Sequence, residues 1–248
     1  MSGPIGLHGG GEFLAGDEAF IDALLRTAVG AASARPERDH AGVAGPMRVA
    51  VVPTAAARQR PVLAASHGVA AFESAGSRLG VGVEADGALV VDRRSADDPA
   101  LVERLAAADL IYLPGGDPDL IPVVLAGTAS WRSILAAHER GAVVAGASAG
   151  AMGLAGRTWT PLGFRSGLDL VRGLIVVPHF ARFDARDWQA TIAALDAAGL
   201  GRLGLDERTG VISCDGTWQV VGEGRAHWFP VRGEPIVAGH GGTLPLPA

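Results

Sequence analysis

The chain has 248 residues, 48% of them apolar and 19% charged, which is long enough to bury a sizeable core and too apolar for a disordered segment. Its 21 basic residues, all arginine and scattered, stand against 26 acidic ones for a net charge of −5, which argues against a nucleic-acid partner. The single cysteine, Cys214, excludes an internal disulfide and any multi-cysteine metal site.

Residues Met1–Phe13 lack the basic region of a signal peptide and run into Gly9-Gly10-Gly11, and no apolar run reaches the ~18 residues of a membrane span. A cytoplasmic protein with no membrane partner is expected. Amphipathic spacing predicts a helix over Asp17–Ala28 with Asp17 as its cap, and Gly30–Gly45, polar and rich in Gly and Pro, reads as a surface loop. Arg48–Pro53 (RVAVVP), Leu110–Leu113 (LIYL) and Ala142–Ala145 (AVVA) are apolar on both faces, as strands of a parallel sheet covered by helices are. Helices are expected within Pro61–Leu79, over Pro118–Leu125, and over Ser130–Arg140, capped by Ser130 and stopped by Gly141. From about Gly210 the runs GVIS, TWQVV and AHWF, separated by Asp215-Gly216 and Gly222-Glu223-Gly224, read as short antiparallel strands. Together these elements imply one α/β domain over residues 1–248: a doubly wound three-layer sandwich with a mainly parallel central sheet and a C-terminal antiparallel strand extension.

Gly146-Ala147-Ser148-Ala149-Gly150 has the form G-x-S-x-G, directly after the strand AVVA and before a plausible helix. A tight strand-to-helix turn needs small flanking residues because its two backbones meet, and it forces the serine into a strained, exposed conformation. In a glycine-rich chain the bare pattern is weak, and its placement after a strand strengthens it. Leu113-Pro114-Gly115-Gly116-Asp117 also ends a strand in glycines; it is either an ordinary turn or a place where backbone N–H groups approach a bound carbonyl. His179 closes the apolar run in VRGLIVVPHF, at a strand end where α/β active sites gather, and Leu203–Glu207 is another strand-like run ending in carboxylates. A histidine so placed is either a base or a hydrogen-bonded structural residue, and such carboxylates are either functional or solvated surface.

The segments HGGGEF, PGGDPDLIP, GASAGA, PHF and GLDERTG occur in the order and approximate spacing of the dipeptidase E and cyanophycinase serine peptidases, which the chain resembles from about Ile5 to Phe229. That resemblance implies a class I glutamine amidotransferase-like fold, Ser148 as nucleophile, His179 as general base, and Glu207 as the acid, as in the cyanophycinase branch. It also implies Gly116 and Ala149 as oxyanion donors, Gly115 and Asp117 at the substrate, no cofactor or metal, and a homodimer or larger homo-oligomer. The cyanophycinase branch has Asp-Gln where this chain has Val177-Pro178, and Gln where it has Pro118, so contacts to a β-aspartyl-arginine unit are missing. Pro-His-Phe is similar to dipeptidase E instead, which favours short peptides with an N-terminal aspartate. For such a peptide Arg182 and Arg186, close behind His179, are candidate carboxylate ligands; the bland reading is that they decorate a following helix, Asp184–Ala198. Asp206 and Asp169 remain alternatives for the acid.

Two other classes compete. An α/β-hydrolase esterase would use His8-Gly9-Gly10-Gly11 as its oxyanion motif and His227 or His240 as base, whereas a non-catalytic binding protein would keep the turn at Ser148 only as architecture.

Overall fold

The computed structural model describes residues 2–34, 45–160, 163–182, 199–214 and 216–247. The chain opens with β1 (Ile5–His8) and α1 (Glu18–Ser33), continues through β2 (Met47–Val51), α2 (Pro61–Leu79) and β3 (Val83–Gly87), then α3 (Pro99–Ala107), β4 (Leu110–Leu113), α4 (Leu120–Leu125) and α5 (Ala129–Glu139). It goes on to β5 (Val143–Ala147), α6 (Ala149–Leu154), the hairpin β6 (Arg157–Thr160) and β7 (Gly163–Ser166), and β8 (Leu174–Val177). Six strands close it: β9 (Gly201–Leu205), β10 (Thr209–Cys214), β11 (Thr217–Gly222), β12 (Ala226–Phe229), β13 (Ile236–Ala238) and β14 (Thr243–Leu244).

The central sheet has the strand order β14-β11-β10-β1-β5-β4-β2-β3. The five strands from β1 to β3 run parallel, and β10, β11 and β14 extend the sheet antiparallel beyond β1. Period-two alternation explains the layers. In β4 and β5, Leu110, Tyr112, Val143 and Ala145 face α1 and α2, packing with Phe20, Leu24, Leu25 and Phe72, while Ile111, Leu113 and Val144 face the other side with Leu105, Ile121, Ile134 and Leu154. A strand buried on both faces has no polar side to show, which is why LIYL and AVVA read as continuous apolar runs. The expected three-layer arrangement, mainly parallel with an antiparallel C-terminal extension, is therefore the one observed.

Some local expectations change. α5 begins at Ala129, capped by Thr128, whose Oγ1 accepts the Trp131 N–H at 3.3 Å; Ser130 sits buried inside the first turn instead. The extended backbone of Thr128 (φ −89°, ψ 168°) is what aims its hydroxyl back at the helix. Asp17 occupies the cap position of α1 without capping it: one oxygen accepts the Phe13 N–H at 2.9 Å and the other lies 2.9 Å from His8 Nε2. α1 runs on to Ser33, so Gly30 is helical, and the rest of the expected loop, 35–44, lies outside the described residues.

AHWF joins a second sheet, of order β13-β12-β9-β8, in which β8 and β9 are parallel. The strands leading to His179 and Glu207 thus belong to this second sheet. No described helix is long and apolar enough to cross a membrane.

Candidate active site

Ser148 stands between β5 and α6 with φ 48° and ψ −114°, a conformation L-residues rarely adopt and one that costs of order 1–3 kcal/mol. Packing holds it there. A methyl group on Gly150 would overlap the Leu113 carbonyl oxygen at the end of β4, so only glycine lets the turn lie this close to its neighbour strand. The Ser148 N–H donates to the His8 carbonyl across the parallel β1–β5 pair at 2.9 Å.

His179 follows β8 and also has a positive φ, 55°. Its N–H donates to the Gly9 carbonyl at 2.8 Å, and its ring lies against Gly10, where a methyl group would overlap Cε1 and come within 2.7 Å of Nε2. The glycine run after β1 is therefore the surface on which the imidazole rests. From there Nε2 lies 3.0 Å from Ser148 Oγ and Nδ1 2.7 Å from Glu207 Oε1. A carboxylate only accepts, so Nδ1 carries the proton and Nε2 presents its lone pair to the serine hydroxyl.

Glu207 sits in the turn between β9 and β10, and its Oε2 accepts from Arg182 Nη2 at 2.7 Å. Partial desolvation pushes this carboxyl upward, but the hydrogen bond from His179 and the charge of Arg182 outweigh it and hold Glu207 below its ordinary value. Asp206 points elsewhere: Oδ2 accepts the Arg225 N–H at 2.9 Å and Oδ1 lies 3.5 Å from His227 Nε2. Asp169, exposed, pairs with Arg172 at 3.1 Å. Of the three carboxylates considered from sequence, only Glu207 meets His179. His227, the base an esterase reading requires, packs against Phe180 at 4.6 Å between ring centroids and is not the partner of Ser148.

Gly115 and Gly116 form the neighbouring turn. Gly116, at φ 148°, lies against Ala55, where an added methyl group would overlap the carbonyl, and the Asp117 N–H donates to that Ala55 oxygen at 2.8 Å. Asp117 Oδ1 caps the turn by accepting the Asp119 N–H at 3.0 Å, and Oδ2 is 3.9 Å from Arg58. Ala149 opens α6, whose first N–H groups have no carbonyl one turn back. Arg186 and the expected helix Asp184–Ala198 lie outside the described residues. Among the described residues no cluster of His, Cys, Asp and Glu could hold a metal ion.

In the peptidase reading of the sequence two residues of the site carried no role of their own. Glu12 Oε1 accepts the Gly115 N–H at 2.7 Å, across 103 positions of sequence. His8 is fully buried; its Nδ1 accepts the Gly10 N–H at 3.2 Å, and its ring packs on Phe20 with centroids 4.6 Å apart. The signal available was HGGGEF itself: a polar residue on each side of a glycine run at the end of the first strand.

No curated protein matches the chain. Among solved structures, it is similar to the crystal structure of a peptidase from an acI-B1 Actinobacterium, at 26% identity and TM-score 0.79 over 98% of this chain and 97% of that one. It is also similar to a protein from Listeria monocytogenes EGD-e described as a peptidase E, at 16% identity and TM-score 0.52 over 90% of this chain and 98% of that one, a likeness of fold alone. The model of peptidase family S51 matches residues 39–221, and the chain belongs to that family of serine-type peptidases.

Proposed function

We propose that the protein hydrolyses short peptides through an acyl-enzyme on Ser148, with His179 as general base and Glu207 as the acid that orients it. The observation that carries this reading is the unbroken chain of contacts from Ser148 Oγ through both His179 nitrogens, 3.0 and 2.7 Å, to Glu207 Oε1. As Oγ bonds to the scissile carbonyl carbon, His179 Nε2 takes the hydroxyl proton and the carbonyl electron pair moves onto oxygen. Gly116 and Ala149 supply the N–H donors for that oxyanion, each typically worth ~3–4 kcal/mol in the transition state. Collapse breaks the C–N bond and returns the proton from His179 to the departing amine. Water then repeats the sequence and releases the acid.

An N-terminal aspartate is the proposed preferred residue, on the likeness to dipeptidase E. Arg182 supports it in part: one guanidinium nitrogen is held by Glu207, and at 70% exposure the remaining donors are open to a substrate carboxylate. Ser148→Ala should fold and lose kcat/KM by about 10⁴-fold or more. A phosphonate diphenyl ester should label Ser148, located by peptide mass mapping. Wild-type activity in the variant would refute the nucleophile. For the aspartate preference, Ala-Leu turned over as well as Asp-Leu is the refuting result.

A further inference from the structure

Glu12 is a carboxylate beside the nucleophile that the proposed reaction does not use. A methyl group placed on Gly115 would lie 2.6 Å from Glu12 Oε1 and 3.3 Å from Ser148 Cβ, so both side chains flank the same glycine. Oε1 is occupied by the Gly115 N–H. Oε2 takes no hydrogen bond among the described residues, and it is not among the buried polar atoms left without a partner, so it reaches solvent.

No described cation neutralises it. Arg182 pairs with Glu207, Arg58 faces Asp117, Arg78 pairs with Asp22, Arg208 faces Glu223, and His8 faces Asp17. Behind it lies buried Tyr112, whose hydroxyl is pushed well upward by burial and further by the charges of Glu12 and Asp17. A carboxylate so placed, on the other side of Gly115 from Ser148, sets a negative charge near the carbonyl whose oxygen must become an anion. Alone, that charge opposes the reaction. A cation brought in by the substrate reverses its effect, so that carriers of the cation are both bound and accelerated.

We propose that Glu12 is an ammonium subsite, and that it binds the free α-ammonium group of the peptide's N-terminal residue. This rests on the reading of Ser148 as nucleophile. It makes the protein an exopeptidase that counts from the N-terminus, with Glu12 Oε1 fixed by Gly115 and Oε2 facing the substrate.

The test uses α-aminoalkyl phosphonate diphenyl esters with the amino group free, N-acetylated, or N-acetylated with a lysine side chain, and reads the rate at which Ser148 is labelled. Labelling of Ser148 by none of the three would refute the nucleophile reading and is distinguishable from failure of the subsite. The free-amine reagent is expected to label about 10- to 100-fold faster than its acetylated counterpart, the worth of one hydrogen bond to a charged group. Glu12→Gln, which keeps an oxygen for the Gly115 N–H and removes the charge, should narrow that ratio at least tenfold. A wild-type ratio near one, or an unchanged ratio in Glu12→Gln, overturns the proposal. So does full recovery by the lysine reagent, which would make the site a reader of side chains.

Discussion

Gly10→Ala separates the position of His179, the proposed base, from its identity. A methyl group there would overlap His179 Cε1 and lie 2.7 Å from Nε2 and 3.0 Å from Nδ1. Ordinary carbon contacts begin near 3.5 Å, so the ring must retreat by about 1 Å, and a displacement of that size can cost about 10²-fold in rate. Gly10 also has φ +100°, and holding alanine there costs about 1–3 kcal/mol of stability. At about 2–4 °C per kcal/mol for a chain of this length, Tm should fall by about 2–12 °C. The control is Gly80→Ala at the end of α2, where φ is +66° and nothing lies within 4 Å of the added methyl group. It carries the backbone strain without touching the imidazole, so Tm should fall and kcat/KM should not. The assay is kcat/KM on Asp-Leu with Tm by differential scanning fluorimetry. A folded Gly10→Ala protein within threefold of wild-type kcat/KM would refute the placement of His179 on this glycine run.

Glu207→Gln should lose about 10³- to 10⁴-fold in kcat, because an amide can hold the wrong imidazole tautomer; Asp206→Asn, whose side-chain oxygen still accepts the Arg225 N–H, should stay within a few fold, and the reverse order would refute the assignment. In the folded protein Glu207 titrates below its ordinary value of 4.5, so its ionised form stabilises the fold above that pH and the contribution is lost as pH falls through the lowered value. Arg182→Met removes one cause of the lowering, so the Glu207 carboxyl, followed by carbon NMR, should titrate closer to 4.5; an unchanged midpoint would show that His179 suffices. Gly150→Ala sets a methyl group on the backbone of β4, which cannot rotate away; it should cost about 3 kcal/mol or more, read as a lower urea midpoint, and an unchanged midpoint would contradict the close approach.

The sequence by itself determined what local chemistry encodes. LIYL and AVVA declared a sheet buried on both faces, because alternation disappears when both sides are apolar, and G-x-S-x-G after the second of them placed Ser148 at a strand-to-helix turn. The order of five short motifs then singled out His179 and Glu207. What the sequence left open depended on long-range pairing. Asp206 and Glu207 are neighbours in a turn, and only the meeting of that turn with the end of β8 decides which one reaches the imidazole. Arg182 turns to Glu207 because the second sheet brings β8 and β9 side by side. Glu12 meets Gly115, and His8 braces Gly10 from a buried position, through the stacking of β1, β5 and β4, which no local periodicity announces. Even the cap of α5 was decided this way: by residue type Ser130 is the better cap, and the backbone direction entering the helix selects Thr128 instead.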